Sequence, residues 1–398
     1  MVTQIKSIIL LLLLTLLQAP IILSCKKTEQ LKPKPAIPNL TLSNASITEG
    51  SSGSKQVSIG IHLSEPTTVN VKVEWSTLEG TAKAGEDYVT ILNGSVTFLP
   101  GETLKTIELS IVSDDILEFN EEFYFQIDSV YNGISIIRKG TITIENDDTY
   151  TPEKVSDGYI TPNTYPGMTL TWSDEFNGSS LDPASWTHEE GGGGWGNTEL
   201  QTYTSSNNNS FVSNGYLTIR AIKDPITGVY TSARLNTKWK REFTYGRIDI
   251  RAKMPIGKGI WPALWMLGTN ISTFGWPNCG EIDIMEYLGH DVVTTYGTVH
   301  YNDNGHKYKG SNYQVTSAEN FHDKFHVFTL IWQENIMEWY VDYHKYFTAT
   351  SGSIKFEAFN LPQFFIFNVA VGGTWPGNPD ASTTFPQDMV VDYVRVFN

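Results

Sequence analysis

Between Val57 and Val396 the apolar residues of this chain gather in short strand-like runs, alternating most clearly in the first half, and no long stretch repeats them at helical spacing. Side chains on a strand alternate between faces, so period-two alternation predicts strands with one face on a core. In the first half the runs are Val57-Ile59-Ile61, Val69-Val71-Val73, Val96-Phe98, Ile107-Leu109-Ile111, Phe123-Phe125-Ile127 and Ile142-Ile144. In the second half they are 216–221, 247–251, 328–332, 364–369 and 390–396. Gly, Pro, Asn and Asp bound them. A chain of this kind folds as an all-β protein whose sheets must face one another to be covered.

The 398 residues suggest roughly two domains. Aromatic usage divides them: of eleven tryptophans only Trp75 precedes residue 150. The formal charge of −15 argues against a nucleic-acid partner, which needs clustered Lys and Arg, and leaves a neutral polymer open. Two cysteines, Cys25 and Cys279, make a disulfide framework improbable. Segment 149–168, with prolines and no apolar period, is expected to link the modules.

Lys6 precedes an apolar run, Ile8–Leu17, that continues past Pro20 to Ser24-Cys25. One charge, a short apolar core and a small residue at its end predict a secretory signal over 1–24. The run is too short and too interrupted for a spanning helix. Ile22-Leu23-Ser24-Cys25 resembles a bacterial lipobox, which implies that Cys25 is lipidated and that 25–38, rich in Lys and Pro, is a tether. The expected location is the bacterial cell envelope, lipid-anchored and in the outer membrane, with the membrane touched only through the acyl chains.

Within 39–148 the acidic residues lie in turns, where loop carboxylates offer the hard oxygen ligands calcium prefers. Gly80–Tyr88, Val96–Glu102, Asp114-Asp115 with Glu118, Glu121-Glu122-Phe123 and Glu145–Asp148 resemble the Calx-beta family over the whole module. The resemblance implies an immunoglobulin-like β-sandwich, with calcium held by Glu49, Asp87, Asp115 and Asp148. No nucleophile–base set is present there, so spacing or adhesion is its expected task.

The decisive segment of 169–398 is Glu281-Ile282-Asp283-Ile284-Met285-Glu286. On a strand Glu281 and Asp283 share a face, with Ile282 and Ile284 turned to the core. Regular alternation would put Glu286 on the wrong side; a bulge near Met285 returns it. A structural strand has no reason to gather three like charges. Retaining glycoside hydrolysis does: one carboxylate attacks and a second carboxyl acts as acid, then base, about 5 to 5.5 Å away. A third carboxylate between them tunes both. Spacing alone leaves open which glutamate does which. Trp261 and Trp265, four apart, share a face, and with Trp375 suit stacking on sugar rings. Asn197 and Arg234 suit hydrogen bonds to hydroxyls, and His300 is expected on the leaving-group side.

The segment resembles the signature of glycoside hydrolase family 16 in its bulged form. So do Gly194–Gln201, Ser232–Lys238, Tyr245–Arg247, Lys253–Pro255, Gly259–Gly268, Gly297–Tyr301, Val371–Gly377 and Val391–Val396, in order. The resemblance implies a concanavalin-like jelly roll with a substrate cleft, Glu281 as nucleophile, Asp283 as assistant and Glu286 as acid/base. It further implies a structural calcium at Asp392, with carbonyls near Glu175 and Gly215, and no cofactor for catalysis. The expected activity is a retaining endo-β-1,3-glucanase of laminarinase type acting on β-glucan. The alternatives are a mixed-linkage β-1,3-1,4-glucanase or a non-catalytic glucan-binding protein.

Overall fold

The computed structural model describes residues 37–115, 119–148, 153–316 and 318–398. The expected signal segment, Cys25, nearly all of the tether and Glu118 lie outside the described residues. Strands dominate, and the described helices are two single turns, Ile271–Phe274 and Glu357–Asn360.

The first module is two sheets around one core. A four-stranded sheet runs Leu104–Ser113, Gly53–Leu63, Asn39–Leu42 and Ile134–Ser135. A five-stranded sheet runs Ala45–Thr48, Lys139–Glu145, Glu121–Tyr131, Val71–Leu78 and Gly94–Phe98. The alternating residues bury as their spacing requires: Val57, Ile59, Ile61, Leu109 and Ile111 meet Val71, Val73, Phe123, Phe125 and Ile142. Trp75 stacks on Phe125 at 4.7 Å between ring centroids.

The second module faces a ten-stranded sheet with a seven-stranded one, in the manner of a jelly roll. The seven-stranded sheet carries the site. Its strands are β1 (Thr187–Glu189), β2 (Arg234–Asn236), β3 (Ile260–Gly268), β4 (Glu281–Tyr287), β5 (Thr294–Asn302), β6 (His306–Gln314) and β7 (Gln363–Val371). Across the sheet they lie β1-β2-β7-β3-β4-β5-β6, each neighbour antiparallel. From its inner face Leu264, Met266, Ile282, Phe365, Phe367 and Val299 pack on Ile248, Ile250, Phe328, Trp332, Trp339 and Val394 of the larger sheet. Each such side chain contributes about 1.5 to 3 kcal/mol by leaving water. β7 is buried along all nine residues, because on its other face Phe364 and Ile366 pack with Leu267 and Cys279 beside Trp265. The unbroken run Phe364–Val369 in the sequence reflects that double cover.

The segment expected to link the modules is, from Asp157 onward, fastened to the outer face of the ten-stranded sheet. Arg395 donates to the carbonyls of Thr161 (2.7 Å) and Pro162 (3.1 Å). Arg251 donates to the Tyr159 carbonyl (2.5 Å) and to Asp157 (2.9 Å). The Tyr165 hydroxyl donates to Asp249 at 2.6 Å, and Asp249 also takes Thr329 at 2.6 Å and Arg247 at 3.0 Å. Asp249 is fully buried, and a buried carboxylate persists only when cation and hydrogen bonds together replace its water.

Candidate active site on the bulged strand

β4 owes its function to one irregularity. On the β5 side the pairing runs Asp283 to Thr298 and then Glu286 to Tyr296, so Ile284 and Met285 together oppose Gly297. On the β3 side Leu264 pairs with Met285 and Trp265 with Asp283, which skips Ile284. Ile284 and Met285 are both buried in the core. Two successive core-facing residues reset the alternation, and Glu286 returns to the face of Glu281 and Asp283. A bulge frees ladder groups that must find other partners. Trp339 Nε1 donates to the Asp283 carbonyl at 2.9 Å, and Thr295 Oγ1 to the Glu286 carbonyl at 3.0 Å. Gly297 leaves room beneath: a Cβ there would lie 2.5 Å from the Tyr346 hydroxyl and 2.6 Å from Trp339 Cδ1.

The register fixes which side chains share the cleft. One row across the sheet reads Glu189, Arg234, Asn368, Ala263, Glu286, Tyr296 and Asn312. The next reads Asn236, Ile366, Trp265, Asp283, Thr298 and Gly310. A third joins Leu267, Glu281, His300 and Tyr308. The three carboxylates thus lie on neighbouring rows of one face.

Their electrostatics follow from this crowding. Desolvation pushes all three carboxyl groups well above the usual carboxylate range. The charge of Asp283 adds to the rise at Glu281 and Glu286, and His300 opposes it at both. A cluster of this kind retains a proton near neutral pH, which supplies an acid beside a base. Trp276 Nε1 donates to Glu281 Oε2 at 3.1 Å, and Trp261 Nε1 to Glu286 Oε1 at 3.2 Å. His300 Nε2 lies 3.3 Å from Asp283 Oδ2 and 3.7 Å from Glu281 Oε1.

The structure brings the expected sugar-binding residues around these acids. β3 is regular against β7, so Trp261 and Trp265 both face the cleft. Trp375 sets its edge against Trp261 at 5.5 Å and against Tyr296 at 4.9 Å. The Asn197 carbonyl accepts from Thr374 N at 2.9 Å, joining its loop to that of Trp375. Its side chain donates to Glu199 Oε1 at 3.1 Å. Arg234 is held more firmly than its sequence context indicates. Its guanidinium lies 4.8 Å from the ring centroids of both Trp195 and Trp265, and it pairs with Glu189.

Several contributors were not legible beforehand. Trp276 reaches Glu281 although Pro277 follows it in a loop; its nearness in sequence to Glu281 was the available signal. His306 lies against His300, with Nε2 2.8 Å from His300 Nδ1. Asn368 joins Trp265 (2.8 Å) to Tyr203 (3.1 Å), a contact between distant strands that leaves no local pattern. Cys279 is buried, as a small filler should be.

The expected calcium positions are placed as follows. Glu49 and Asp87 are buried, Asp115 is exposed and Asp148 half-buried. Asp147 Oδ1 accepts from Gly50 N at 2.6 Å and Ser113 Oγ donates to the Glu49 carbonyl at 2.6 Å, so these turns meet at one end of the module. Burial and the charges of Asp147, Asp114 and Asp115 push the Asp148 carboxyl up, and its Oδ2 is buried without a hydrogen bond. That oxygen suits a hard cation. Asp392 differs: its Oδ2 lies 2.6 Å from Arg251 Nη1, and Glu175 is held by Arg395 at 2.7 Å, so guanidinium groups supply positive charge there. Among the described residues, Glu281, Asp283 and His300 are the one group of three or more acid, imidazole or thiol side chains whose ligand atoms all lie within 4.8 Å of one another.

Comparison with known proteins accords with this geometry. Residues 197–395 match the model of the glycosyl hydrolases family 16, and residues 38–148 that of the Calx-beta domain. A beta-glucanase of Rhodothermus marinus is 42% identical over 252 residues, covering 58% of this chain and 86% of that protein. Glucan endo-1,3-beta-glucosidase A1 of Niallia circulans is 38% identical over 274 residues, 62% of this chain, and the chain spans 40% of its length. The catalytic domain of an endo-1,3-beta-glucanase (laminarinase) from Thermotoga petrophila superposes with a TM-score of 0.54 at 47% identity, over 58% of this chain and 98% of that one.

Proposed function

We propose, from the premise that the chain belongs to the glycosyl hydrolases of family 16, that it is a retaining endo-β-1,3-glucanase of laminarinase type. The observation that carries the reading is the bulge in β4, which sets Glu281, Asp283 and Glu286 on one face beneath tryptophans. Similarity to an endo-1,3-beta-glucosidase and to a laminarinase catalytic domain supports the linkage.

Double displacement assigns each group a task. Glu281, steadied by Trp276 and His300, attacks the anomeric carbon, while Glu286 gives its proton to the departing glycosidic oxygen. Glu286 then takes a proton from water, whose oxygen displaces Glu281 from the sugar. Asp283, in the row between theirs, raises the proton affinity of both, so the cluster keeps one proton, assigned here to Glu286 as the acid. Trp261, Trp265 and Trp375 stack on glucose rings, and Asn197, Arg234 and His300 contact hydroxyls. Initial rates on laminarin and lichenan test the reading. Faster release from laminarin is expected; faster release from lichenan assigns the mixed-linkage activity instead, and binding without release leaves a glucan-binding protein.

The remaining parts are read alongside. The catalytic module, 169–398, is concanavalin-like, and the first module, 39–148, is immunoglobulin-like, with calcium near Asp148, Asp115, Glu49 and Asp87. A thermal transition of the full chain that rises with calcium and falls with a chelator is expected. The first 24 residues direct export, Cys25 carries the lipid, and the protein is held at the outer membrane of a bacterial envelope. Labelled palmitate should enter the wild type and not Cys25→Ala.

A further inference from the structure

Four side chains close a ring beside the proposed nucleophile. Trp276 Nε1 holds Glu281 Oε2 at 3.1 Å, and His300 Nε2 faces Glu281 Oε1 at 3.7 Å and Asp283 Oδ2 at 3.3 Å. His306 completes the ring. Its Nε2 is 2.8 Å from His300 Nδ1, and its imidazole lies 4.4 Å from the Trp276 ring. His306 is exposed at the start of β6, whereas Asp283 is buried and its Oδ2 has no hydrogen bond satisfied by geometry.

The geometry points to His306 as a positioning residue that fixes the proton on His300 Nε2, so that this nitrogen faces Asp283 and Glu281 as a donor. This rests on the reading of Glu281 as nucleophile. The proton on one imidazole nitrogen is set by the partner of the other. Two carboxylates face Nε2, and a lone pair there would be repelled by them, so the proton belongs on Nε2. Nδ1 then needs a donor, and His306 Nε2–H is the group within reach. The groups facing the pair are Glu281 and Asp283 from β4, Tyr308 from β6 and the Trp276 indole. An N–H at His300 Nε2 favours ionised Glu281, so His306 sets how far into acid the nucleophile stays competent.

The test is the pH profile of kcat/KM on laminarin for wild type, His306→Phe and His306→Gln. Phe keeps a ring against Trp276 but has no nitrogen; Gln can donate or accept. His306→Phe is expected to lower kcat by about tenfold with KM nearly unchanged. Its acid limb should move to higher pH by roughly half a unit, since a His300 lone pair turned toward Glu281 favours the protonated carboxyl. His306→Gln should return the limb toward wild type. If the acid limbs of wild type and His306→Phe coincide, whatever the rates, the inference fails. It fails equally if His306→Gln matches His306→Phe. A wild type that cuts neither laminarin nor lichenan overturns the functional reading instead, and is told apart by that result alone.

Discussion

The indole nitrogen of Trp339 lies 2.9 Å from the backbone carbonyl of Asp283, fifty-six residues away in the chain. That carbonyl leaves the β-ladder where β4 bulges, and the bond from the opposite sheet keeps the bulge in place. Trp339→Phe retains the ring and removes the donor. It should cost about 1 to 3 kcal/mol of stability, the penalty for a buried acceptor without a partner. Glu286 lies three residues beyond, so kcat should fall more than KM rises. Denaturant unfolding and laminarin kinetics measure the two effects.

Glu281→Gln should abolish turnover while stabilising the fold at neutral pH. The Glu281 carboxyl is raised in the folded protein above its ordinary value of 4.5. Above the unfolded value the unfolded chain ionises freely, whereas ionising Glu281 in the fold costs desolvation and repulsion from Asp283, so wild-type stability declines as pH rises toward the folded value. The amide has no such dependence. Its advantage should exceed about 1 kcal/mol at pH 7 and vanish below about pH 4. Equal melting temperatures at pH 7 would contradict the desolvated carboxyl.

The alkaline limb of kcat/KM should lie well above the ordinary glutamate value, because desolvation and Asp283 raise the Glu286 carboxyl. The Trp261 hydrogen bond acts the other way, favouring the ionised form. Trp261→Phe should therefore shift that limb to still higher pH while weakening glucan binding. Rate measurements between pH 5 and 10 decide; a limb moving downward would reverse the assignment.

Arg234→Lys keeps the charge but loses the planar group between Trp195 and Trp265. An ammonium neither stacks on two indoles nor presents guanidinium geometry to Glu189. The expected result is roughly a tenfold loss in kcat/KM, about 1.4 kcal/mol, carried mainly by KM. Initial rates over a range of laminarin concentrations separate the two constants.

What was readable beforehand followed from local spacing. Val57-Ile59-Ile61 and Phe364–Val369 became strands because alternation and unbroken apolar runs report how many faces a strand buries. The bulge was legible because Ile282, Ile284 and Met285 cannot all be inward on a regular strand while Glu281 and Glu286 are outward. Contacts made by folding were not. Trp339 beneath Asp283, Asn368 between Trp265 and Tyr203, and His306 behind His300 join different strands, and nothing in their neighbours marks them. Within the expected linker, 149–168, the residues from Asp157 onward are tied to the larger sheet by arginine-to-carbonyl bonds, which leave no apolar period in the sequence.

That last segment also packs as part of the second module. A fragment started at Thr169 would discard the oxygens that Arg251 and Arg395 face, and the phenol that shields Asp249. Two guanidinium groups and a carboxylate would be left in a half-stripped wall of the larger sheet. A truncation designed at the apparent module border would thus strip contacts from the outer face of the larger sheet, so a stably folded catalytic fragment is expected to start ahead of Asp157.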